Sequence, residues 1–98
     1  MRFQFQTKQL QQLYSARKGG KKYSAQVADA YIRVVETIRT AKDERDLYAL
    51  KSLHYEKLKG HRAGQKSLRL NDQYRLVVET KEDEGGKYLL LCEIGDYH

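Results

Sequence analysis

The sequence predicts a small α+β domain, in which two N-terminal helices pack on one face of a small, mainly antiparallel sheet. Its 98 residues are enough for one hydrophobic core but not for two. Apolar residues recur at helical spacing in the first half of the chain, whereas after Gly64 they alternate with a period of two. Helices that precede a run of strands joined by short turns are typical of the α+β class.

The chain opens with a short predicted strand and a first helix. Phe3 and Phe5 alternate with polar residues, which indicates a strand. Thr7 is suited to cap the helix that follows. The apolar face of that helix contains Leu10, Leu13 and Tyr14. The glycine pair at 19–20 is expected to end it.

A second, longer helix is predicted after the N-cap residue Ser24. Its apolar positions fall on one face, as expected for a helix that packs against a sheet. They are Val27, Ala30, Tyr31, Val34, Val35 and Ile38. One or two further helical turns are expected over 43–53, before a basic loop at 56–64.

The last third of the chain predicts a meander of strands. Alternating segments at 66–70 and 74–78 are separated by turn-forming residues, which indicates a hairpin. A second turn at 84–87 leads to a mostly apolar strand at 88–94. If the leucines of the hairpin face the helices, Arg69 and Arg75 face away and form a cationic open sheet face beside the basic loop.

Positive charge is concentrated in two blocks of the chain. The net charge is +6, from 19 basic and 13 acidic residues. Residues 1–23 contain six cations and no anion, and residues 51–75 contain seven cations and two anions. Residues 76–98 are acidic, with six anions and two cations. The pattern favours an anionic partner for the basic blocks, although a solvated surface would also explain it.

Several classes of protein are excluded or disfavoured. One cysteine cannot form an internal disulfide or a cysteine-based zinc knuckle. The chain has no phosphate-binding loop motif, no dinucleotide fingerprint and no zinc spacing among its histidines, so we expect no metal and no cofactor. It also has no apolar run that could span a bilayer and no signal-peptide core, so we expect a cytoplasmic protein without membrane contact.

The sequence ends in Asp96, Tyr97 and His98, directly after the last predicted strand. A histidine held near fixed cations has the parts needed to cleave RNA without a metal. In that reaction a base deprotonates the 2′-hydroxyl, cations stabilise the charged phosphorane, and an acid protonates the leaving 5′-oxygen. From the residues alone, a polar chain end with no role is the simpler interpretation.

The segment from Lys59 to Arg75, together with this tail, resembles the HigB-like branch of the RelE/ParE toxin superfamily. The similarity rests on the loop Lys59-Gly60-x-Arg62-x-Gly64, on the strand pair that ends in Tyr74-Arg75, and on Asp96-Tyr97-His98. It implies a toxin of a type II toxin–antitoxin pair that cleaves mRNA on the translating ribosome. It also implies a helix-turn-helix antitoxin, HigA-like, and binding of operator DNA only through the toxin–antitoxin complex.

The resemblance also implies roles for individual residues. Lys59 and Arg75 become phosphate-binding or transition-state cations, and Arg62 becomes a loop residue that organises the site or contacts RNA. The catalytic tail consists of Asp96, Tyr97 and His98, with His98 the best proton-transfer group. The residues expected to bind substrate are Arg62, Arg69, His61 and His54.

The loop departs from the family pattern, and two other functions remain open. Relatives often read His-Pro-Leu-Lys-Gly-Asp-Arg, where this chain has Glu56 in place of the histidine and His61 in place of the aspartate. The second acid or base is therefore His54, His61 or absent. The alternatives to a nuclease are a ParE-like gyrase poison and a non-catalytic nucleic-acid-binding co-repressor module.

Overall fold

The computed structural model describes residues 1–16, 22–60 and 64–96. Within these ranges three helices and five strands follow one another in an α+β arrangement, which confirms the predicted fold class. In chain order they are β1 (Phe3–Phe5), α1 (Lys8–Ser15), α2 (Ala25–Thr40), α3 (Glu44–Ala49), a 3₁₀ turn (Lys51–Leu53), β2 (Glu56–Lys57), β3 (Gln65–Arg69), β4 (Tyr74–Asp83) and β5 (Gly86–Asp96). The spatial order of the sheet is β1-β5-β4-β3-β2. Only β1 runs parallel to its neighbour, β5.

Both long helices begin where the capping residues predict. The Thr7 hydroxyl accepts a hydrogen bond from the Leu10 amide, and the Ser24 hydroxyl accepts one from the Val27 amide, each at 3.2 Å. The six predicted apolar positions of α2 are all buried. Among them, the fully buried Tyr31 donates from its hydroxyl to the Leu10 carbonyl at 2.8 Å. This bond joins α2 to α1 without leaving a buried polar group unpaired.

The predicted hairpin is formed by β3 and β4. The Asn71 side-chain oxygen accepts hydrogen bonds from the amides of Gln73 and Tyr74, which closes the turn. Leu68 then lies opposite Leu76, and both are completely buried in the core formed with the helices. Arg69 and Arg75, also directly opposite each other, therefore project from the other face of the sheet, as expected.

The helical turns expected over 43–53 are present as α3 and the 3₁₀ turn, whereas the segment that follows differs from the sequence-based expectation. The basic loop at 56–64 begins with β2, which adds a fifth strand at the edge of the sheet. A two-residue strand has too few positions to show alternation, so its pattern could not be recognised.

Glu44 at the start of α3 connects this helix to the sheet. Its carboxylate accepts hydrogen bonds from the Lys66 ammonium at 2.5 Å, the Tyr55 hydroxyl at 2.8 Å and the Thr80 hydroxyl at 3.2 Å. Burial alone would raise the pKa of the Glu44 carboxyl. The hydrogen bonds from Lys66 and Tyr55 outweigh burial, and on balance the pKa lies below its ordinary value.

Because the folded-state pKa of Glu44 is lowered, its stabilising effect is present above its ordinary pKa of 4.5 and is lost as the pH falls. We expect Glu44→Gln to lower the free energy of unfolding at pH 7 by about 1–3 kcal/mol, since a charge-assisted network is removed. The difference from wild type should shrink as the pH falls below 4.5, as measured by urea unfolding. Glu84→Gln, at an exposed turn, is the control. A difference that is the same at all pH values would contradict this account.

Candidate active site

Arg75 is the centre of a hydrogen-bonded cluster on the open face of the sheet. Its Nε donates to the Ser67 hydroxyl at 2.7 Å. Its Nη2 donates to the Ser67 carbonyl at 3.3 Å and to the His54 carbonyl. The side chain is only 14% exposed. Burial lowers the pKa of the Arg75 guanidinium, Glu56 opposes this and Arg69 adds to it, but an arginine remains protonated at neutral pH.

Three acceptors hold two of the guanidinium nitrogens, whereas the third nitrogen points away from them. Within the described part of the chain, Nη1 of Arg75 has no hydrogen-bond partner. A guanidinium that is fixed by its neighbours and still has free N–H groups can bind an oxyanion without reorganising. The open face of the sheet therefore presents a guanidinium of fixed orientation, which makes it a candidate position for an anion.

The backbone of His54 contributes to this cluster. His54 ends the 3₁₀ turn with φ of 44°, a left-handed conformation that is uncommon outside glycine. The sharp change of direction leads the chain into β2 and leaves the His54 carbonyl to accept from Arg75. The sequence suggested a role for the histidine ring, but it is the carbonyl that contacts Arg75.

Glu56 belongs to the site, although the sequence analysis assigned it no role. It is the residue of β2 that lies opposite Ser67, so its side chain is on the same face as that of Arg75. Its Oε1 lies 3.6 Å from Nη2 of Arg75, and its side chain is 64% exposed. The sequence did contain a signal for its role, because this chain has Glu56 where relatives often have a histidine. Its meaning depended on the strand β2, which the sequence did not reveal.

The two arginines of the hairpin are a like-charge pair. Arg69 lies directly across from Arg75 and forms an ion pair with Asp72 in the turn. Like charges directly opposite each other on neighbouring strands are destabilising. The acidic groups of Asp72 and Glu56 offset this repulsion at the two ends of the pair.

The remaining predicted site residues are divided between the described and the undescribed parts of the chain. Lys59 is exposed after β2 and makes no ion pair with any described residue. Asp96 ends β5 opposite Tyr74, one position from Arg75, and its carboxylate accepts a hydrogen bond from Gln73 at 3.1 Å. The sheet register places the Asp96 side chain on the face of Tyr74, whereas Arg75 projects from the other face and lies opposite Gly95. His61, Arg62, Tyr97 and His98 lie outside the described residues.

The described ranges contain neither a candidate metal site nor a membrane-spanning helix. No group of three or more histidine, cysteine, aspartate or glutamate side chains in residues 1–16, 22–60 and 64–96 is placed to hold a metal ion. No helix in the same ranges is long and apolar enough to cross a membrane.

Solved structures share this fold. A toxin from Agrobacterium tumefaciens described as YoeB/ParE covers 100% of both chains with a TM-score of 0.58 and 17% identity. The RelBE2 toxin–antitoxin complex from Mycobacterium tuberculosis matches 98% of this chain and 96% of its own chain, with a TM-score of 0.50 and 20% identity. At this level of identity the similarity concerns the architecture alone.

Sequence comparisons define the family. Toxin HigB-1 of Vibrio cholerae serotype O1 is 32% identical over 79 residues, which are 81% of this chain and 83% of that protein. The family model described as the RelE-like toxin of the type II toxin–antitoxin system HigB matches residues 3–91. The chain therefore belongs to the HigB-like toxins of the RelE superfamily.

Proposed function

We propose that this toxin is a ribosome-dependent mRNA endoribonuclease that acts without a metal ion and so inhibits translation. The observation that carries the proposal is the Arg75 cluster, in which a partly buried guanidinium is fixed by Ser67 and His54 and its Nη1 has no hydrogen-bond partner among the described residues. A scissile phosphate is an anion of the right size and charge, and guanidinium groups recognise it well.

In the proposed reaction the 2′-oxygen of one nucleotide forms a bond to the adjacent phosphorus, and the bond from phosphorus to the 5′-oxygen of the next nucleotide breaks. Arg75 and Lys59 stabilise the additional negative charge of the phosphorane. Arg69 and Arg62 contribute to binding of the RNA backbone. The product ends are a 2′,3′-cyclic phosphate and a free 5′-hydroxyl.

Two protons must move in this reaction. We assign the proton donor for the leaving 5′-oxygen to His98, with Tyr97 and Asp96 as its neighbours in the tail, because imidazole exchanges protons near neutral pH. Glu56 joins His54 and His61 as a candidate for the base that deprotonates the 2′-hydroxyl. The position of its carboxylate supports this role, because Oε1 of Glu56 lies 3.6 Å from Nη2 of Arg75, the arginine that would hold the phosphate.

The proposed partners follow from the family and from the charge distribution. The antitoxin is a HigA-like helix-turn-helix protein, and operator DNA is bound only by the complex. The ribosome and its mRNA present RNA to the basic segments at 1–23 and 51–75. These partners place the protein in the cytoplasm. A small domain with an open sheet face has little surface to hold RNA unaided, which favours a requirement for the ribosome.

The cations of the site provide the direct test. We expect Arg75→Ala and Lys59→Ala each to slow cleavage of translated mRNA by about 10²–10³-fold, since each removes a charge from the developing phosphorane. Lys42→Ala and Lys87→Ala, at exposed positions outside the two basic segments, should change it only slightly. Cleavage is measured by primer extension in a purified translation system, with free mRNA as the comparison.

Arg75→Ala should also lower the free energy of unfolding by about 1–3 kcal/mol, because the Ser67 hydroxyl and the His54 carbonyl lose their donor. Its activity is therefore measured well below its unfolding temperature. Efficient cutting of free mRNA would overturn the ribosome requirement. Growth arrest by gyrase inhibition without any mRNA cleavage would instead support the gyrase-poison alternative.

The tail provides a second test. We expect His98→Ala to abolish toxicity while leaving unfolding and antitoxin binding unchanged, because a residue after the last strand contributes little to the core. Removing Tyr97 as well should add little to the loss if the two residues act as a unit. Toxicity is scored by growth after induction, and antitoxin binding by calorimetry. If His98→Ala still cleaves translated mRNA, the acid is one of Glu56, His54 and His61.

A further inference from the structure

Ser67 is an unusual residue for its position in the sheet. It lies in β3 between β2 and β4, opposite Glu56 on one side and Val77 on the other. Apart from Tyr31, it is the one residue with a side-chain hydroxyl among the described ranges that is completely buried. Burying a hydroxyl costs free energy unless it is hydrogen-bonded, and β-branched apolar residues are favoured in such strands. A serine here needs a reason other than packing.

The hydrogen bonds of Ser67 supply that reason. Its hydroxyl accepts from Nε of Arg75 at 2.7 Å, and its carbonyl accepts from Nη2 at 3.3 Å. One residue thus contacts the Nε–Nη2 edge of the guanidinium through both its side chain and its backbone. The His54 carbonyl fixes the same Nη2 from the 3₁₀ turn. Because the guanidinium is planar and rigid, holding this edge determines the direction of Nη1.

We propose that Ser67 is a positioning residue, whose hydroxyl orients Arg75 so that Nη1 faces the scissile phosphate. The inference rests on the proposed nuclease function. Ser67 itself touches neither the phosphate nor a transferred proton. Its contribution is to hold the cation in place before the substrate arrives, so that the transition state does not have to order it.

The inference predicts a loss of rate with an unchanged affinity for the ribosome. Ser67→Ala should slow single-turnover cleavage of translated mRNA by roughly 10- to 100-fold, the effect of one hydrogen bond to a charged group. Ser67→Cys, which keeps nearly the same volume but is a weak acceptor, should show a similar loss. Ser52→Ala, at an exposed serine of the 3₁₀ turn, is the matched control and should cleave normally.

A double-mutant cycle separates positioning from a purely structural effect. In an Arg75→Lys background the side chain has no Nε at this place, so Ser67→Ala should reduce cleavage no further. A structural role would reduce cleavage in both backgrounds. The Nε–H signal of Arg75 in the NMR spectrum of the free toxin gives a second readout. We expect it to be protected from exchange in wild type and to exchange rapidly in Ser67→Ala.

The outcomes distinguish this inference from the function on which it rests. If wild type cleaves and Ser67→Ala cleaves equally fast, the positioning role is wrong and the nuclease proposal stands. The same conclusion follows if Ser67→Ala is equally harmful in the Arg75→Lys background. If wild type does not cleave translated mRNA, the nuclease proposal fails and the positioning role fails with it. Loss of rate in both Ser67 variants, with no further loss when Ser67→Ala is combined with Arg75→Lys, supports the inference.

Discussion

The antiparallel register between β3 and β4 is the constraint on which both the core and the candidate site depend. Pairing Leu68 with Leu76 buries two leucines beneath the helices. The same register places Arg69 opposite Arg75 on the other face. A shift of one residue would exchange the two faces and bury the arginines. Burial of the leucines therefore also stabilises a register in which the two arginines lie opposite each other, despite the repulsion between their charges.

The partly buried charges on the two faces of the sheet have different kinds of hydrogen-bond partner. On the helix side, the Glu44 carboxylate has a cation and two hydroxyls as donors and serves to hold α3 on the sheet. On the open side, Arg75 has two carbonyls and a hydroxyl as acceptors, and the Glu56 carboxylate is beyond hydrogen-bond distance at 3.6 Å. Neutral acceptors fix the guanidinium without cancelling its charge. The first arrangement is suited to stability, and the second preserves a positive potential for a ligand.

Much of the fold was predictable because its signals are local. The caps Thr7 and Ser24, the apolar face of α2 and the Asn71 turn each depend on residues within a few positions of one another. The strand β2 was not predictable, because two residues show no period and its pairing is decided by β3. The termini of β4 and β5 also extend beyond the apolar segments, since their outer residues pair through the backbone.

The candidate site was only partly predictable for the same reason. Alternation in the hairpin was enough to place Arg69 and Arg75 on one face. The contacts of Arg75 with Ser67, His54 and Glu56 arise from two other segments of the chain, 54–56 and β3. No sequence pattern links these segments. The left-handed backbone of His54 was also not predictable from the sequence, because few histidines adopt a positive φ.

The parallel pairing of β1 with β5 has a consequence for synthesis of the protein. β1 is the first element of the chain, yet its sheet neighbour β5 is the last, with Phe3 opposite Leu89. Because β5 also lies between β1 and β4, the first strand has no place in the sheet until the final strand is available. Pairings so distant in sequence form late and slowly. A nascent chain of this toxin therefore cannot complete its sheet while β5 is still inside the ribosome.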